Sequence, residues 1–317
     1  MHPQLRSLLR SLPVLKQLRW WQRFSWRADY LKSNQELIAR TLCGQPDQRL
    51  PDNPTFGSTS LLCREEHFRT PNYHRWCAEL HEPPSFRRKQ WEYVYILSAL
   101  ERCGMLMAGK RALGFGVGRE LLPAIFASRG IQVTATDQSV TQGMRDGWIN
   151  YQQHADGLIV LRQPHIVANA TLDKLVQFQT ADMNNIPSNL TNFDFVWSAC
   201  ALEHLGSLEH SLHFIEQSLA CLRPGGFAVH TLEFNGGSND ETITHGPTIL
   251  MRKKDLEALS ERLSRQGHEL AIIDVEPGTG FVDQWVDVPP YRADPWPRLL
   301  LERHIAVSAG ILIRRSQ

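Results

Sequence analysis

Residues 110–130 read KRALGFGVGRELLPAIFASRG, a strand, a glycine turn and a helix in succession. Ala112 to Phe115 close the strand, Gly114, Gly116 and Gly118 form the turn, and Leu121, Leu122, Ile125 and Phe126 give the helix an apolar face. Pro123 is tolerated because it falls in the first helical turn, where backbone amides have no partner inside the helix. Glycines belong in such a turn because the chain must bend tightly and approach a ligand that a Cβ would block. The amides at the helix start then face a polar or anionic group.

Downstream, the pattern repeats. Ile131 to Thr136 reads as a second strand ending at Asp137, where a carboxylate can accept hydrogen bonds from both hydroxyls of a ribose. That arrangement also suits a nicotinamide enzyme, but the glycine spacing is GxGxG rather than GxGxxG. Arg119 and Glu120 stand where a pyrophosphate-binding turn carries its third glycine. Leu175 to Thr180 and Phe193 to Ser198 form the third and fourth strands, the former leading into Ala181-Asp182-Met183 and the latter into ACALEHL. A helix with Leu208, Leu212, Ile215, Leu219 and Leu222 on one face stops at Arg223-Pro224-Gly225-Gly226, and a fifth strand, Phe227 to Thr231, follows. A helix at Lys253 to Gln266 precedes two closing strands, Leu270 to Val275 and Ile305 to Ile313. Alternating strands and helices predict an α/β fold, a Rossmann-like doubly wound, mostly parallel sheet with a helical N-terminal extension.

With GFGVGRE, VTATD, the Ala181-Asp182-Met183 step, FDFVWS and LRPGG in this order, residues 105–317 resemble the class I S-adenosylmethionine-dependent methyltransferase family. The resemblance implies S-adenosyl-L-methionine as cofactor and an antiparallel closing strand. By it, Gly114, Phe115, Gly116 and Gly118 wrap the methionine part and Asp137 holds the ribose hydroxyls. Asp182 accepts from the adenine amino group with the Met183 amide beside it, and Ser198 lines the sulfonium. More narrowly, RRKQWEYVYI, ALEHLGSLEH and VDVPPY resemble bacterial methyltransferases found alongside glycan-assembly enzymes. The function this implies is O-methylation of a hydroxylated acceptor, such as a sugar in a surface glycan or its precursor.

Such a transfer needs alignment of the nucleophile and, for a hydroxyl, removal of its proton. Side chains after strands four and five are the candidates: Glu203, His204, His230 and Glu233. His204 is the first choice as base because histidine titrates near neutrality, while His230 ends the GGFAV strand and Glu233 offers a carboxylate. Two long segments, 138–174 with Trp148, Gln152, Gln153 and His154, and 276–300 with Trp285, Tyr291, Trp296, Asp283 and Asp287, are expected to wall the acceptor site. Aromatic faces beside carboxylates suit a polyhydroxylated ligand. No metal is expected, since Glu203, His204, His230, Glu233 and His245 match no zinc spacing.

Upstream of this domain, residues 1–60 read as a basic amphipathic arm and linker and 61–104 as a helical lead-in, with a helix from Arg87 to Gly104. The arm interleaves Arg6, Arg10, Lys16, Arg19, Arg23 and Arg27 with Trp20, Trp21, Phe24 and Trp26. It suits either packing on the protein's own body, the favoured reading, or peripheral contact with an anionic membrane through residues 1–43. A net charge of +1 gives no global case for a nucleic-acid partner. Six scattered cysteines without a CxxC pair and the absence of a long apolar run fit a reducing, cytoplasmic compartment. Two alternatives remain at this level: a nicotinamide-dependent oxidoreductase, and a non-catalytic membrane-assembly scaffold with a structural cofactor.

Overall fold

The computed structural model describes residues 32, 33, 35, 50–291 and 296–317. The chain divides into two units, residues 1–45 and 46–317. Of the first, only Lys32, Ser33 and Gln35 are described, and all three are helical. The expectations about the basic arm therefore lie outside the described residues.

The second unit is built on one mixed sheet. Its strands are β1 (Ser60–Leu62), β2 (Arg111–Phe115), β3 (Gln132–Asp137), β4 (Val176–Thr180) and β5 (Phe193–Ala199). They continue with β6 (Leu222–Asn235), β7 (Glu269–Leu270), β8 (Ile273–Asp274), β9 (Arg298–Leu301) and β10 (His304–Arg314). Across the sheet the order is β4-β3-β2-β5-β6-β10-β1-β8, with β7 and β9 also pairing with β10. The five strands from β4 to β6 run parallel. β10 lies antiparallel to β6 from Ala306↔Asn235 to Arg314↔Phe227. This is the Rossmann-like, mostly parallel sheet with an antiparallel closing strand that the sequence predicts.

The chain leaves β2 toward β3 and β4 on one side, then returns to β5 on the other. The order reverses between β2 and β5, and loops at such a reversal splay apart to leave a crevice at the carboxyl ends of the strands. Every residue of β5 is buried, as a strand covered on both faces must be. The helices of this unit are α1 (Glu65–Phe68), α2 (Pro71–Glu79), α3 (Arg88–Arg102), α4 (Leu122–Ser128), α5 (Val140–Arg145), α6 (Asn169–Leu175), α7 (Leu208–Ser218), α8 (Lys253–Arg265) and α9 (Phe281–Gln284). In α8 only Leu256, Leu259 and Leu263 are buried, the single apolar stripe of a surface helix. By contrast α3 is buried from Gln90 to Leu100 and packs on β10, β6 and β5.

Several local expectations are corrected. Ser60–Leu62 is a strand inserted between β10 and β8, because Leu61 and Leu62 pair with Gly310 and Ala309. Its three residues are too few to show alternation in the sequence. The strand expected at Leu270–Val275 is two separate pairs of residues, β7 on β10 and β8 on β1. The fifth strand begins at Leu222 and runs to Asn235, so Arg223-Pro224-Gly225-Gly226 opens a strand with a register shift opposite Phe193–Phe195.

Gly114, in the middle of β2, owes its identity to packing. A Cβ built there lies 2.3 Å from the Trp197 ring. That ring is held by an Nε1–H donated to Glu120 Oε1 (2.6 Å) and by the edge of Phe126 (centroids 4.9 Å). Gly114→Val is expected to lower the melting temperature by on the order of 10 °C, from an overpacking cost of about 3 kcal/mol. A double-mutant cycle with Trp197→Leu checks the cause: the two costs should fail to add.

Candidate active site

The crevice is floored by the turn after β2. Gly116 and Gly118 have φ of +59° and +50°, in the left-handed region that suits glycine. A Cβ on Gly116 would lie 2.8 Å from Ala201 Cβ, in the loop after β5, and 3.4 Å from Met183 Sδ, in the loop after β4. One glycine thus looks onto both neighbouring loops, and the three segments approach too closely for a side chain. Phe115 contributes backbone only, since its ring is buried edge-on against Phe214 (5.1 Å).

Asp137 ends β3 beside this turn. Its Oδ2 accepts from Gly118 N (3.1 Å) and Ala155 N (2.9 Å), and its Oδ1 from Gln138 N (2.8 Å). Burial raises its pKa, and these amides work against that rise. Three of roughly four lone-pair positions on the carboxylate are filled by the protein, so one remains, on Oδ1. The donor Ala155 belongs to the long 138–174 segment, which folds back onto the glycine turn. A Cβ on Gly118 would meet Gln153 O at 2.3 Å, and His154 Nε2 lies 2.9 Å from Gln138 O. Asp182 is exposed, and its Oδ1 accepts from Asn184 N (2.8 Å). Met183 is half-buried.

The structure separates the remaining expected site residues. Ser198 and His230 face each other across β5 and β6, both fully buried, with Ser198 Oγ 2.8 Å from His230 Nδ1. The other ring nitrogen lies 3.3 Å from Ser218 Oγ on α7, and burial drops the imidazole pKa to about 3. His230 is therefore a neutral core residue with no route to a substrate, and the Ser198 hydroxyl is turned toward it. His204 stands at the crevice. Its Nδ1 lies 2.7 Å from Pro247 O, so that nitrogen carries the proton and Nε2 is left as the base. Burial lowers its pKa, Trp148 meets its ring edge-on (4.6 Å), and about a quarter of its side chain is exposed. Glu233 is held by Arg88 through both carboxylate oxygens (2.5 and 2.7 Å).

Residues of α3 join this edge with no distinctive sequence signal of their own, beside Glu203, which the sequence marks. Lys89 donates to Ala199 O (2.6 Å), at the end of β5, and pairs with Glu92 (3.3 Å). Burial pushes the Glu92 pKa up, but Lys89 and Arg88 more than reverse it. Glu203, one residue from His204, is buried, and its pKa is pushed up to about 8 by burial and then by Glu233. Arg88, Lys89, Glu92 and Tyr93 share one face of an otherwise apolar helix, which is the trace they leave in the sequence.

Glu120 is the other displaced carboxylate. Burial raises its pKa to about 8, against the pull of Lys89. A group whose folded pKa exceeds its unfolded value stabilises fully below the unfolded value, here about 4.5, and loses that contribution as pH climbs through the folded value. Stability is thus expected to fall between pH 5 and 8 by up to about 1.4 kcal/mol per pH unit from this group. Glu120→Gln keeps an acceptor for Trp197 and removes the titration. Denaturant midpoints of the variant should fall less over this range than those of the parent.

Residues 113–230 match a family model described as a methyltransferase domain, a stretch that runs from β2 to His230 in β6. Together with the turn, the acidic strand end and the closing strand, this makes the chain an S-adenosylmethionine-dependent methyltransferase. Among solved structures it is similar to one from Galdieria sulphuraria assigned as a sarcosine dimethylglycine methyltransferase (15% identity, TM-score 0.43, 74% of this chain and 86% of that one). It is also similar to the magnesium protoporphyrin IX methyltransferase of Synechocystis with bound S-adenosylhomocysteine (14% identity, TM-score 0.41, 77% and 94%). No curated protein matches the sequence.

In the 276–300 segment, both carboxylates expected to face an acceptor are buried. Asp283 accepts from Glu65 N (2.8 Å) and Gly280 N (3.1 Å), and Asp287 is buried with its backbone laddered to Arg298 and Leu300. Trp296 stacks on Phe86 (6.1 Å), whereas Tyr291 is exposed. Among the described residues no helix is long and apolar enough to cross a membrane.

Proposed function

We propose that the enzyme methylates an oxygen of a hydroxylated acceptor, such as a sugar of a surface glycan or its precursor, with His204 as the base. Bound S-adenosylmethionine supplies a methyl group already activated on a sulfonium. The bare backbone of Gly116 and Gly118 admits it, the free lone pair of Asp137 accepts one ribose hydroxyl, and Asp182 with the Met183 amide receives the adenine edge. Gly114, Phe115 and Ser198 shape this floor from behind, through packing.

The observation that carries the reading is the state of His204. A neutral imidazole with Nδ1–H held on a carbonyl and Nε2 at an open edge is set to take a proton from a hydroxyl as the oxygen attacks. Trp148 covers one side of the ring and keeps it from swinging away. His230 and the Arg88-bound Glu233 are not available for that step. The test is transfer of radiolabelled methyl groups from S-adenosylmethionine to cell-envelope extracts. Label should enter an alkali-stable, glycosidase-sensitive fraction, and label confined to protein or lipid amines would refute O-methylation of a glycan.

A further inference from the structure

The carboxylates beneath α3 are out of balance with their cations. Glu233 is matched by Arg88 and Glu92 by Lys89. Among the described residues Glu203 has no lysine or arginine partner, and its one ion-pair neighbour is His204, 3.9 Å away. Glu203 is 1% exposed, and its Oε2 has no hydrogen-bond partner among the described residues. A buried polar atom left bare costs about 1–3 kcal/mol, more for a charged group, so its retention points to something that binds there. Next to it is Cys200, a residue with a Cβ held at φ +48°, where such residues are strained and strain gathers at functional sites. One ligand atom each from Cys200, Glu203 and Glu233 lie within 4.8 Å of one another.

We propose that Cys200, Glu203 and Glu233 form a binding site for a divalent transition-metal ion. Oxygen and sulfur ligands on a tetrahedral ion at about 2.0–2.3 Å stand between 3 and 4 Å apart, so a small closing movement brings the three into place. The charges agree. With Cys200 ionised by the metal, four anions (Cys200, Glu92, Glu203, Glu233) exceed Arg88 and Lys89 by two, the charge of the ion. Arg88 then acts on the metal through Glu233, as outer hydrogen bonds to ligating carboxylates do. A thiolate beside two carboxylates favours Zn²⁺ or Co²⁺ over Mg²⁺. Three protein ligands leave a fourth position open, and Glu203 Oε1 is 3.9 Å from His204 Nε2. On the reading of His204 given above, that open position is where the acceptor oxygen would be drawn and its proton loosened. No spacing in the sequence announces the site, because Glu233 joins from the next strand.

The test uses the full chain, stripped with a chelator and titrated with Co²⁺, with and without S-adenosylhomocysteine. The expected result is one Co²⁺ per chain, a thiolate-to-cobalt charge-transfer band and a higher melting temperature. Cys200→Ser should abolish the band, and Glu203→Gln should weaken binding by at least about tenfold. Absence of Co²⁺ uptake, a band that survives Cys200→Ser, or equal affinity in Glu203→Gln overturns the site. S-adenosylhomocysteine binding by each variant reports its folding. Should Glu203→Gln fail to fold, the Cys200→Ser spectrum alone decides. Failure of the parent protein to bind S-adenosylhomocysteine counts against the cofactor reading, and cobalt uptake is scored independently of it.

Discussion

Gly116→Val abolishes binding of S-adenosylhomocysteine while leaving the fold intact. The residue has φ +59°, and even a single carbon there would press to 2.8 Å from Ala201 Cβ and 3.4 Å from Met183 Sδ. A branched side chain fills the space between the loops after β2, β4 and β5 and also strains the turn, at a backbone cost of order 1–3 kcal/mol. The domain can absorb that cost because the turn is only half-buried. Calorimetry on the variant should show a loss of affinity of roughly 100-fold or more, since the loops that are to seat the cofactor must shift to admit the side chain. Circular dichroism should match the parent. Wild-type affinity would mean that the cofactor does not rest on this turn.

His204→Asn separates chemistry from binding. The amide can still donate to Pro247 O but cannot take a proton, so the rate of methyl transfer to the labelled acceptor fraction should fall about 10²- to 10⁴-fold. Affinity for S-adenosylhomocysteine should stay within a factor of two or so, because no cofactor contact is changed. A parallel loss of both would identify His204 as a binding residue instead. Burial already holds the imidazole below its ordinary pKa, so the parent's rate should be insensitive to alkaline pH up to the ionisation of other groups.

The parallel half of the sheet was legible because its inner strands are buried runs with apolar residues and the helices between them carry an apolar stripe, and those periods differ. Residues 111–137 and 193–199 fall within a residue or two of their expected bounds for that reason. The other half was not. β1, β7, β8 and β9 have two to four residues each, and their identity as strands rests on partners far away in the chain. The site was legible as a set of strand ends but not as chemistry. His230 sits at the correct edge by position, yet its burial depends on Phe214 and Ser218 from α7, which no local pattern couples to it. Arg88 is 145 residues from the carboxylate it neutralises, and Lys89 is 110 residues from the carbonyl it holds. The carboxylates of Asp283 and Asp287 looked like ligand contacts because loop acids usually face water, but both are buried, and that of Asp283 holds backbone amides instead.

The place of β10 has a consequence for synthesis. It lies between β6 and β1, joining residues near 310 to residues near 60. As the chain emerges from the ribosome, α3 and the strands up to β6 are complete long before β10 exists. Until then β6 offers an open edge of unpaired backbone groups from Phe227 to Asn235, the kind of edge that recruits other strands. Nascent chains should therefore depend on a holdase during the last stretch of translation, and a premature stop anywhere between residues 236 and 304 should yield aggregate rather than a smaller working enzyme.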